Sequence, residues 1–286
     1  MTLQEAHKQL LFQLYELYDD REAANIADLV IEHVTGQRKI DRILNKQMPV
    51  SLTQQEELTA YTQQLLLYKP VQYVLHEAWF AGMKLYVDEN VLIPRPETEE
   101  LVNWIVDCRL QIADCRLLDI GTGSGCIPIA LKKRFSTWDV HALDISAGAL
   151  GVAKKNAIEQ GTEIAFHKAD ILNEAEWVRL PVFDMIVSNP PYIRNSEAAA
   201  MQNNVTRFEP HTSLFVPDED VLLFHKKIAG FARLHLRENG LLFFEINESL
   251  GDEVCSLLSA NGFIEVELKK DMQGKDRMVR GMKALP

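Results

Sequence analysis

The residues Asn189-Pro190-Pro191-Tyr192 could hold a flat ligand that carries N–H donors. They follow the apolar run Phe183–Ser188, which is typical of a buried strand. Two successive prolines keep the backbone extended and remove two N–H donors, so the carbonyl groups stay available as acceptors. The Asn189 side chain adds an acceptor oxygen and a donor NH2 group, and the Tyr192 ring could lie against the ligand. The alternative for this tetrapeptide alone is a proline-rich turn after a strand.

A glycine-rich turn follows an earlier predicted strand, Arg116–Ile120. The turn consists of Gly121, Thr122, Gly123, Ser124 and Gly125. Glycine allows left-handed backbone conformations and close approach to a ligand. The three glycines follow the spacing GxGxG, so the glycine at the sixth position of the dinucleotide fingerprint GxGxxG is missing. The lysine of a phosphate-binding loop is missing as well. Asp119, just before the turn, would repel phosphate but could attract an ammonium group, so the pattern favours S-adenosylmethionine over a pyrophosphate cofactor.

Two further strand ends carry acidic residues. Asp144 lies about 20 residues after the glycines, where a carboxylate can accept both hydroxyls of a ribose. Asp170 ends the third predicted strand and could accept from an adenine amino group, while Ile171 could pack on the ring. Each aspartate alone could equally cap the helix that follows it. The three strand ends in succession indicate one adenosine site.

The elements that would position these residues alternate from residue 116 to the end. The predicted strands are 116–120, 140–144, 164–169, 183–188, 241–246, 263–269 and 278–282, and the predicted helices are 125–135, 147–160, 218–238 and 249–261. This alternation predicts an α/β fold with a seven-stranded, mostly parallel, Rossmann-like sheet. The connection 271–276 is too short for a crossover helix, so the last strand should be antiparallel. The fourth strand lies beside the first in this order, so the glycine turn and the Asn-Pro hook (residues 189–192) should face one another.

The region before the sheet divides in two. Apolar residues at helical spacing predict a small all-α domain over residues 1–75, with Gly36 ending one helix and Ser51 or Thr53 capping another. Apolar runs at 71–75 and 79–87 predict two short strands around a glycine turn. We therefore expect a helical domain at 1–75, a β-hairpin linker at 76–95 and a cofactor-binding domain at 96–286.

Composition limits the class of protein. A formal net charge of −11 on 286 residues disfavours non-specific binding to nucleic acid. The cysteines show no metal-ligand spacing and are expected to be reduced core thiols; they are Cys108, Cys115, Cys126 and Cys255. We find no secretion signal and no apolar run of the roughly 20 residues that a membrane span needs. A cytoplasmic protein without metal or membrane partner is the expectation.

Together these motifs resemble class I S-adenosylmethionine-dependent methyltransferases acting on planar nitrogen. Adenine-specific nucleic-acid methylases and protein glutamine methyltransferases both carry Asn-Pro-Pro-Tyr. Further segments resemble the release factor glutamine methyltransferase family; they are 70–73, 92–99, 187–193, 207–210 and 271–277. Two places depart from that family: His76 replaces a usual glycine, and residues 217–220 replace a turn that is often glycine-rich.

The resemblance implies methyl transfer from S-adenosyl-L-methionine to the glutamine side-chain amide in the GGQ tripeptide of class I peptide chain release factors, with S-adenosyl-L-homocysteine as product. It implies that residues 121–125 hold the methionine moiety, Asp144 the ribose and Ile171 the adenine. Asn189 would contact cofactor and substrate, and residues 189–192 would hold the glutamine. The candidate catalytic residues are Asn189, Pro190 and Tyr192.

Other functions stay open at this point. They are methylation of a ribosomal-protein glutamine, methylation of adenine in nucleic acid, and a non-catalytic cofactor-binding role. Direct nucleic-acid binding is disfavoured by the acidic charge and by the absence of a separate basic domain. Two residues are also left open. Glu245 could point inward near the site or pair with an arginine at a sheet edge, and His211 could border the substrate channel or be a surface histidine.

Overall fold

We describe the chain from a computed structural model. The structure describes residues 1–108, 114–201 and 203–285. It divides into two compact units, Met1–Glu77 with Gln202–Phe208 and Ala78–Met201 with Glu209–Pro286. In the described part of the chain, no helix combines the length and apolarity needed to cross a bilayer.

The first unit is helical. Its helices are α1 (Leu3–Leu14), α2 (Asp20–Thr35), α3 (Lys39–Leu44), α4 (Leu52–Leu65), α5 (Val71–Leu75) and α10 (Asn203–Phe208). Ser51 caps α4 through a capping box, and α2 ends at Gly36 in the left-handed conformation, as the sequence predicts. Apolar faces of α1, α2, α4 and α5 enclose the core of this unit.

The predicted extended segment at residues 71–75 is wrong, because these residues form helix α5. A short apolar run fits either a strand or a buried helical turn. Val71, Val74 and Leu75 are buried in the helical core, and a helical turn brings all three onto it. His76 ends the helix with φ of 55°, a conformation that glycine adopts more readily. The departure from the family glycine therefore leaves the backbone turn in place.

The second unit contains the remaining elements. Its strands are β1 (Ala78–Phe80), β2 (Met83–Leu85), β3 (Arg116–Ile120), β4 (Asp139–Asp144), β5 (Ala165–Lys168), β6 (Phe183–Ser188), β7 (Ile193–Arg194), β8 (Phe215–Val216), β9 (Leu236–Glu245), β10 (Phe263–Lys270) and β11 (Asp276–Lys283). Its α-helices are α6 (Pro96–Asp107), α7 (Cys126–Arg134), α8 (Ala147–Glu159), α9 (Glu174–Trp177), α11 (Leu223–His235) and α12 (Gly251–Ala260). Short 3-10 helices span Asn195–Ala200 and His211–Ser213. The predicted helix 218–238 is too long, since α11 begins at Leu223 and β9 begins at Leu236.

Seven of these strands form one sheet in the order β10-β11-β9-β6-β3-β4-β5. Strand β11 is antiparallel to both of its neighbours, and the pairings from β9 to β5 are parallel. The Rossmann-like fold class and the antiparallel last strand are thus confirmed. Strands β3 and β6 are neighbours, with Ile120 opposite Ser188. The carboxyl ends of these two strands therefore lie side by side.

Two apolar clusters cover the faces of this sheet. Leu117 and Val187 belong to one cluster, whereas Leu118 and Ile186 belong to the other. Alternate side chains of a strand point to opposite faces, and a parallel sheet with helices on both faces buries its central strands entirely. The central strands therefore form a rigid platform for the loops at their carboxyl ends.

Candidate active site

A cavity of about 490 Å³ lies at the carboxyl ends of β3, β4, β5 and β6. The sequence-predicted residues that line it are Gly121, Thr122, Gly123, Ser124, Asp144, Ile171, Asn189, Pro190 and Pro191. Gly125 and Tyr192 do not line it. The structure thus brings most of the predicted site residues to one cavity, where crevices of parallel sheets bind their ligands.

The glycine turn is tied to the neighbouring strand by backbone hydrogen bonds. The backbone N–H groups of Gly121 and Thr122 both donate to the carbonyl oxygen of Leu143, over 2.8 and 3.0 Å. Gly121, Gly123 and Gly125 all have positive φ. A residue with a side chain would be strained in this backbone conformation. This conformation presents the backbone of the turn to the cavity.

Gly125 is a structural member of the turn, since it begins helix α7 in the left-handed conformation with φ of 79°. A Cβ atom placed there would lie 3.1 Å from both Ala153 Cβ and Ile129 Cδ1. We expect Gly125→Ala to lower the free energy of unfolding by more than Gly161→Ala does. Gly161 has a similar φ of 66° but open space around it, so it measures the left-handed strain alone, about 1–2 kcal/mol.

Denaturant unfolding of the two variants is the measurement. Equal losses of stability would show that the crowding between the turn and helix α8 is relieved at no cost.

Asp144 stands at the edge of the cavity and is 9% exposed. Its Oδ2 accepts from the Gly123 N–H at 2.9 Å, and its Oδ1 accepts from the Ser146 N–H at 2.9 Å. Burial raises the pKa of this carboxyl, and the backbone donors oppose that rise. Each oxygen keeps acceptor capacity, so a carboxylate held by backbone donors borders the cavity and can accept from hydroxyl groups.

Asp119 is a buried carboxyl directly beneath the turn. Neither of its oxygens, nor the Thr122 hydroxyl, makes a hydrogen bond within the described residues. Burial raises the pKa of Asp119 to about 7, and the charge of Asp144 adds to the rise. Unpaired buried acceptors of this kind are costly. Thr122 lines the cavity whereas Asp119 does not, so this carboxyl can act on a cationic ligand only through its negative potential.

The next strand end supplies an apolar wall. Ile171 is 7% exposed and lines the cavity, and its carbonyl oxygen accepts from the Trp177 indole at 3.0 Å. Asp170 also lines the cavity, with Oδ1 accepting from the Leu172 N–H. The aspartate therefore closes a local turn and is not the predicted cap of the following helix, since Asn173 caps α9, while Asp170 still borders the cavity beside Ile171. These residues fit a planar purine ring.

The Asn-Pro hook leaves β6 at the same level as the glycine turn leaves β3. The Ser188 hydroxyl donates to the Ile120 carbonyl at 2.7 Å and joins the two strand ends. The Nδ2 of Asn189 donates to the Thr98 hydroxyl at 3.2 Å. Among the described residues, no donor reaches Asn189 Oδ1 or the Pro190 carbonyl oxygen. Two unoccupied acceptors are thus located at the wall of the cavity.

Glu245 resolves one open alternative, because it points inward. It is 1% exposed and accepts from the Thr98 hydroxyl at 2.7 Å and from the Tyr192 hydroxyl at 3.3 Å. Burial raises the pKa of Glu245 to about 7, and burial also raises the pKa of Tyr192. Tyr192 is therefore anchored by its hydroxyl behind the hook.

Arg95 and Glu209 form an ion pair that sequence reasoning did not foresee. An Arg95 guanidinium nitrogen lies 2.6 Å from Glu209 Oε1, and the Ile93 N–H donates to Oε2. Glu209 is only 3% exposed. The one signal in the sequence was that both residues lie in segments resembling the same family. The pair fixes the segment around Pro94 and Pro210, which both line the cavity.

His211 and the segment 217–220 are the two remaining features that the sequence left open. His211 does not line the cavity, and its ring lies edge-on to the Phe215 ring. In the segment 217–220, which differs from the family, Pro217 lines the cavity. Asp218 accepts from the backbone N–H and the hydroxyl of Ser196. These two hydrogen bonds hold the segment in place where the family often has a glycine-rich turn.

Fold and cavity together define an S-adenosylmethionine-dependent methyltransferase. The methyltransferase small domain family model matches residues 102–208. A methyltransferase from Pyrococcus furiosus shares the fold, with a TM-score of 0.53 and 17% identity, covering 79% of this chain and 100% of that one. The catalytic domain of hMettl16 in complex with the MAT2A 3'UTR hairpin 6 also shares it, with a TM-score of 0.55 and 18% identity, covering 82% of each chain.

The chain belongs to the release factor glutamine methyltransferase family. The PrmC N-terminal domain model matches residues 5–75. A release factor glutamine methyltransferase from Flavobacterium psychrophilum is 41% identical over 283 residues, which cover 98% of this chain and 99% of that protein. Another from Bacteroides thetaiotaomicron is 39% identical over 270 residues, which cover 93% and 95%.

Proposed function

We propose that this chain transfers a methyl group from S-adenosyl-L-methionine to the side-chain amide nitrogen of the glutamine in the GGQ tripeptide of class I peptide chain release factors. The observation that carries the proposal is the cavity shared by the glycine turn and the Asn-Pro hook. Relatives named for this reaction match the chain over nearly its whole length. The reaction takes place in the cytoplasm and uses no metal.

The cofactor would occupy the cavity from the glycine turn to Ile171. Residues 121–124 hold its methionine moiety while Gly125 shapes their turn, Asp144 accepts from the ribose hydroxyls and Ile171 packs on the adenine. When bound, S-adenosylmethionine supplies an electrophilic methyl group on a sulfonium. The buried Asp119 carboxyl supplies negative potential near the methionine ammonium. The chain thereby orients the cofactor along three successive strand ends.

The hook would orient the substrate amide. An amide nitrogen is a weak nucleophile because its lone pair is delocalised into the carbonyl. Asn189 Oδ1 and the Pro190 carbonyl accept the two amide hydrogens and hold the nitrogen facing the methyl group. Fixing reacting groups in a near-attack geometry removes much of the entropic barrier. Pro191 completes the cavity side of the hook, and Tyr192 supports the hook from behind through its hydroxyl bond to Glu245.

The same two acceptors stabilise the transition state. Positive charge develops on the amide nitrogen as the new N–C bond forms, and preorganised acceptors interact most strongly with that charge. The two electrons of the breaking S–CH3 bond remain on sulfur. The N-methylated, protonated amide is a strong acid, so its proton is lost after transfer without a dedicated base.

Asp144 provides a test of the cofactor position. We expect Asp144→Asn to weaken S-adenosylmethionine binding by about tenfold, or about 1.4 kcal/mol. The substitution replaces one acceptor oxygen by an NH2 group, which cannot accept from the turn N–H and from a ribose hydroxyl. Asp139→Asn is the control, since Asp139 begins the same strand and pairs with Arg116 on the surface. Calorimetric titration with S-adenosylmethionine measures both; equal affinities would place the ribose elsewhere.

The proposed substrate is tested by competition between classes of acceptor. Purified full-length protein is incubated with labelled S-adenosylmethionine and, separately, with a class I release factor, ribosomal proteins and DNA. Label should enter the release factor alone and should be lost when its GGQ glutamine is replaced by glutamate. Label in a ribosomal protein or in DNA, with none in the release factor, would contradict the proposal and identify the substrate class instead.

A further inference from the structure

Four polar side chains beside the cavity form one continuous hydrogen-bonded chain. Asn189 Nδ2 donates to Thr98 Oγ1, and Thr98 Oγ1 donates to Glu245 Oε2. The Tyr192 hydroxyl donates to the second carboxylate oxygen, Oε1. Both ends of this chain are residues of the hook, and its centre is the buried carboxylate of Glu245.

The chemistry of the donors sets the direction of this chain. An ionised carboxylate can only accept, so Glu245 takes the single hydrogen of the Thr98 hydroxyl. Thr98 must then accept from its other neighbour, and the nitrogen is the only corner of the Asn189 carboxamide that donates. Nδ2 is therefore held towards Thr98, and Oδ1 is left as the acceptor.

We infer that Thr98 and Glu245 are positioning residues for the transfer step, because they fix the Asn189 carboxamide with its oxygen available to the substrate amide. The inference rests on the proposed function, since it assigns both residues to that reaction. They act through Asn189. Thr98 lies in the first turn of α6 and Glu245 at the end of β9, so two elements distant in sequence converge behind the hook.

Charged and titratable groups face Glu245 from several packed elements. Arg277 of β11 favours the ionised form and Glu97 of α6 opposes it, while burial dominates and raises the pKa of Glu245 to about 7. Cys126 of α7 and His225 of α11 also lie near it, and burial keeps both neutral by raising the pKa of the thiol and lowering that of the imidazole to about 4. The Tyr192 hydroxyl completes the surroundings.

Protonation of Glu245 would remove the constraint that the hydrogen bonds place on the Asn189 carboxamide. A protonated carboxyl can donate to Thr98, which frees the Thr98 hydrogen to bind Asn189 Oδ1 and lets the carboxamide turn over. The raised pKa of Glu245 therefore predicts the direction in which activity changes with pH. The turnover number at saturating substrates should rise with pH through about 7, as Glu245 ionises.

Thr98 variants test the hydrogen-bonded chain while leaving the residues of the hook unchanged. With the full-length protein, labelled S-adenosylmethionine and a class I release factor, we expect Thr98→Val to lower kcat by about tenfold to a hundredfold. Thr98→Ser, which keeps the hydroxyl, should recover most of the lost rate. Thr162→Val is the matched control, because Thr162 is half-buried, does not line the cavity and donates to a helix carbonyl, that of Ala157. Cofactor affinity and unfolding midpoints are measured for each.

Glu245→Gln tests the carboxylate itself. Glutamine keeps the size of the side chain but does not ionise, and its NH2 group can donate to Thr98. We expect a lower kcat that no longer rises through about pH 7, with S-adenosylmethionine binding retained. Recording kcat at saturating S-adenosylmethionine separates an effect on methyl transfer from an effect on cofactor binding.

The outcomes are distinguishable. A wild-type enzyme that methylates the release factor, with Thr98→Val equally active, would overturn the inference and leave the proposed function intact. Equal losses in Thr98→Val and Thr98→Ser, matched by loss of folding or cofactor binding, would reduce the hydrogen-bonded chain to a structural role and also overturn the inference. An unchanged pH profile in Glu245→Gln would exclude the carboxylate. An inactive wild type would overturn the proposed function and the inference with it.

Discussion

Replacing Asn189 by alanine is expected to lower the rate of methyl transfer by about a hundredfold to a thousandfold, or about 2.7–4 kcal/mol of transition-state stabilisation. The variant loses Oδ1, one of the two acceptors at the cavity wall that no described residue occupies. The same truncation removes the Nδ2 donor to Thr98. The effect should fall mainly on kcat, because the acceptor interacts most strongly with charge that exists only in the transition state.

Separate measurements of binding and transfer are needed for this variant. Calorimetry with S-adenosylmethionine should show a much smaller loss than single-turnover transfer to the release factor, even though Asn189 is expected to contact the cofactor. Asn195→Ala is a suitable control, since Asn195 is exposed and begins a 3-10 helix six residues further along the chain. Transfer by Asn189→Ala at the wild-type rate would refute the assigned role.

Deleting residues 1–77 is expected to lower kcat/KM for the release factor by about a hundredfold or more, the loss of about 2.7 kcal/mol of binding energy. We propose residues 1–75 as the domain that docks the release factor at a surface remote from the GGQ loop. The deleted segment has its own apolar core, and the two clusters that cover the sheet are drawn from the other unit. Cofactor affinity should therefore change little.

A short glutamine-containing peptide makes this experiment specific. A GGQ peptide is too small to reach a remote docking surface, so truncated and full-length proteins should methylate it with similar kcat/KM. An unfolding transition and S-adenosylmethionine binding confirm that the truncated protein is folded. Equal losses for peptide, release factor and cofactor would count against docking by this domain.

Much of the sheet and its ligand edge could be predicted from local sequence. Short apolar runs such as Phe183–Ser188 predict buried strands, and the carboxyl ends of parallel strands lie at one edge whatever the loops do. The prediction that the glycine turn and the Asn-Pro hook share that edge follows from strand order, and the pairing of Ile120 with Ser188 agrees with it.

Features set by contacts distant in sequence could not be predicted in this way. Thr98 and Glu245 are separated by 147 positions, and nothing local to either indicates that they form a hydrogen bond. The pairing of Arg95 with Glu209 spans 114 positions. Residues 71–75 were misassigned for a related reason, since their apolar run fits a strand until the helical core that buries them is known. The exact cavity wall, which includes Pro191 but not Tyr192, also depends on side-chain packing.

A crystal structure of the full-length protein with S-adenosyl-L-homocysteine and a glutamine-containing GGQ peptide would test the central claim most directly. The account predicts the cofactor along the glycine turn, with its sulfur facing the glutamine nitrogen across the space that one methyl group fills. Asn189 Oδ1 and the Pro190 carbonyl should each accept one hydrogen of that amide. A glutamine bound away from the hook, or a sulfur too distant for a methyl group to pass between them, would contradict it.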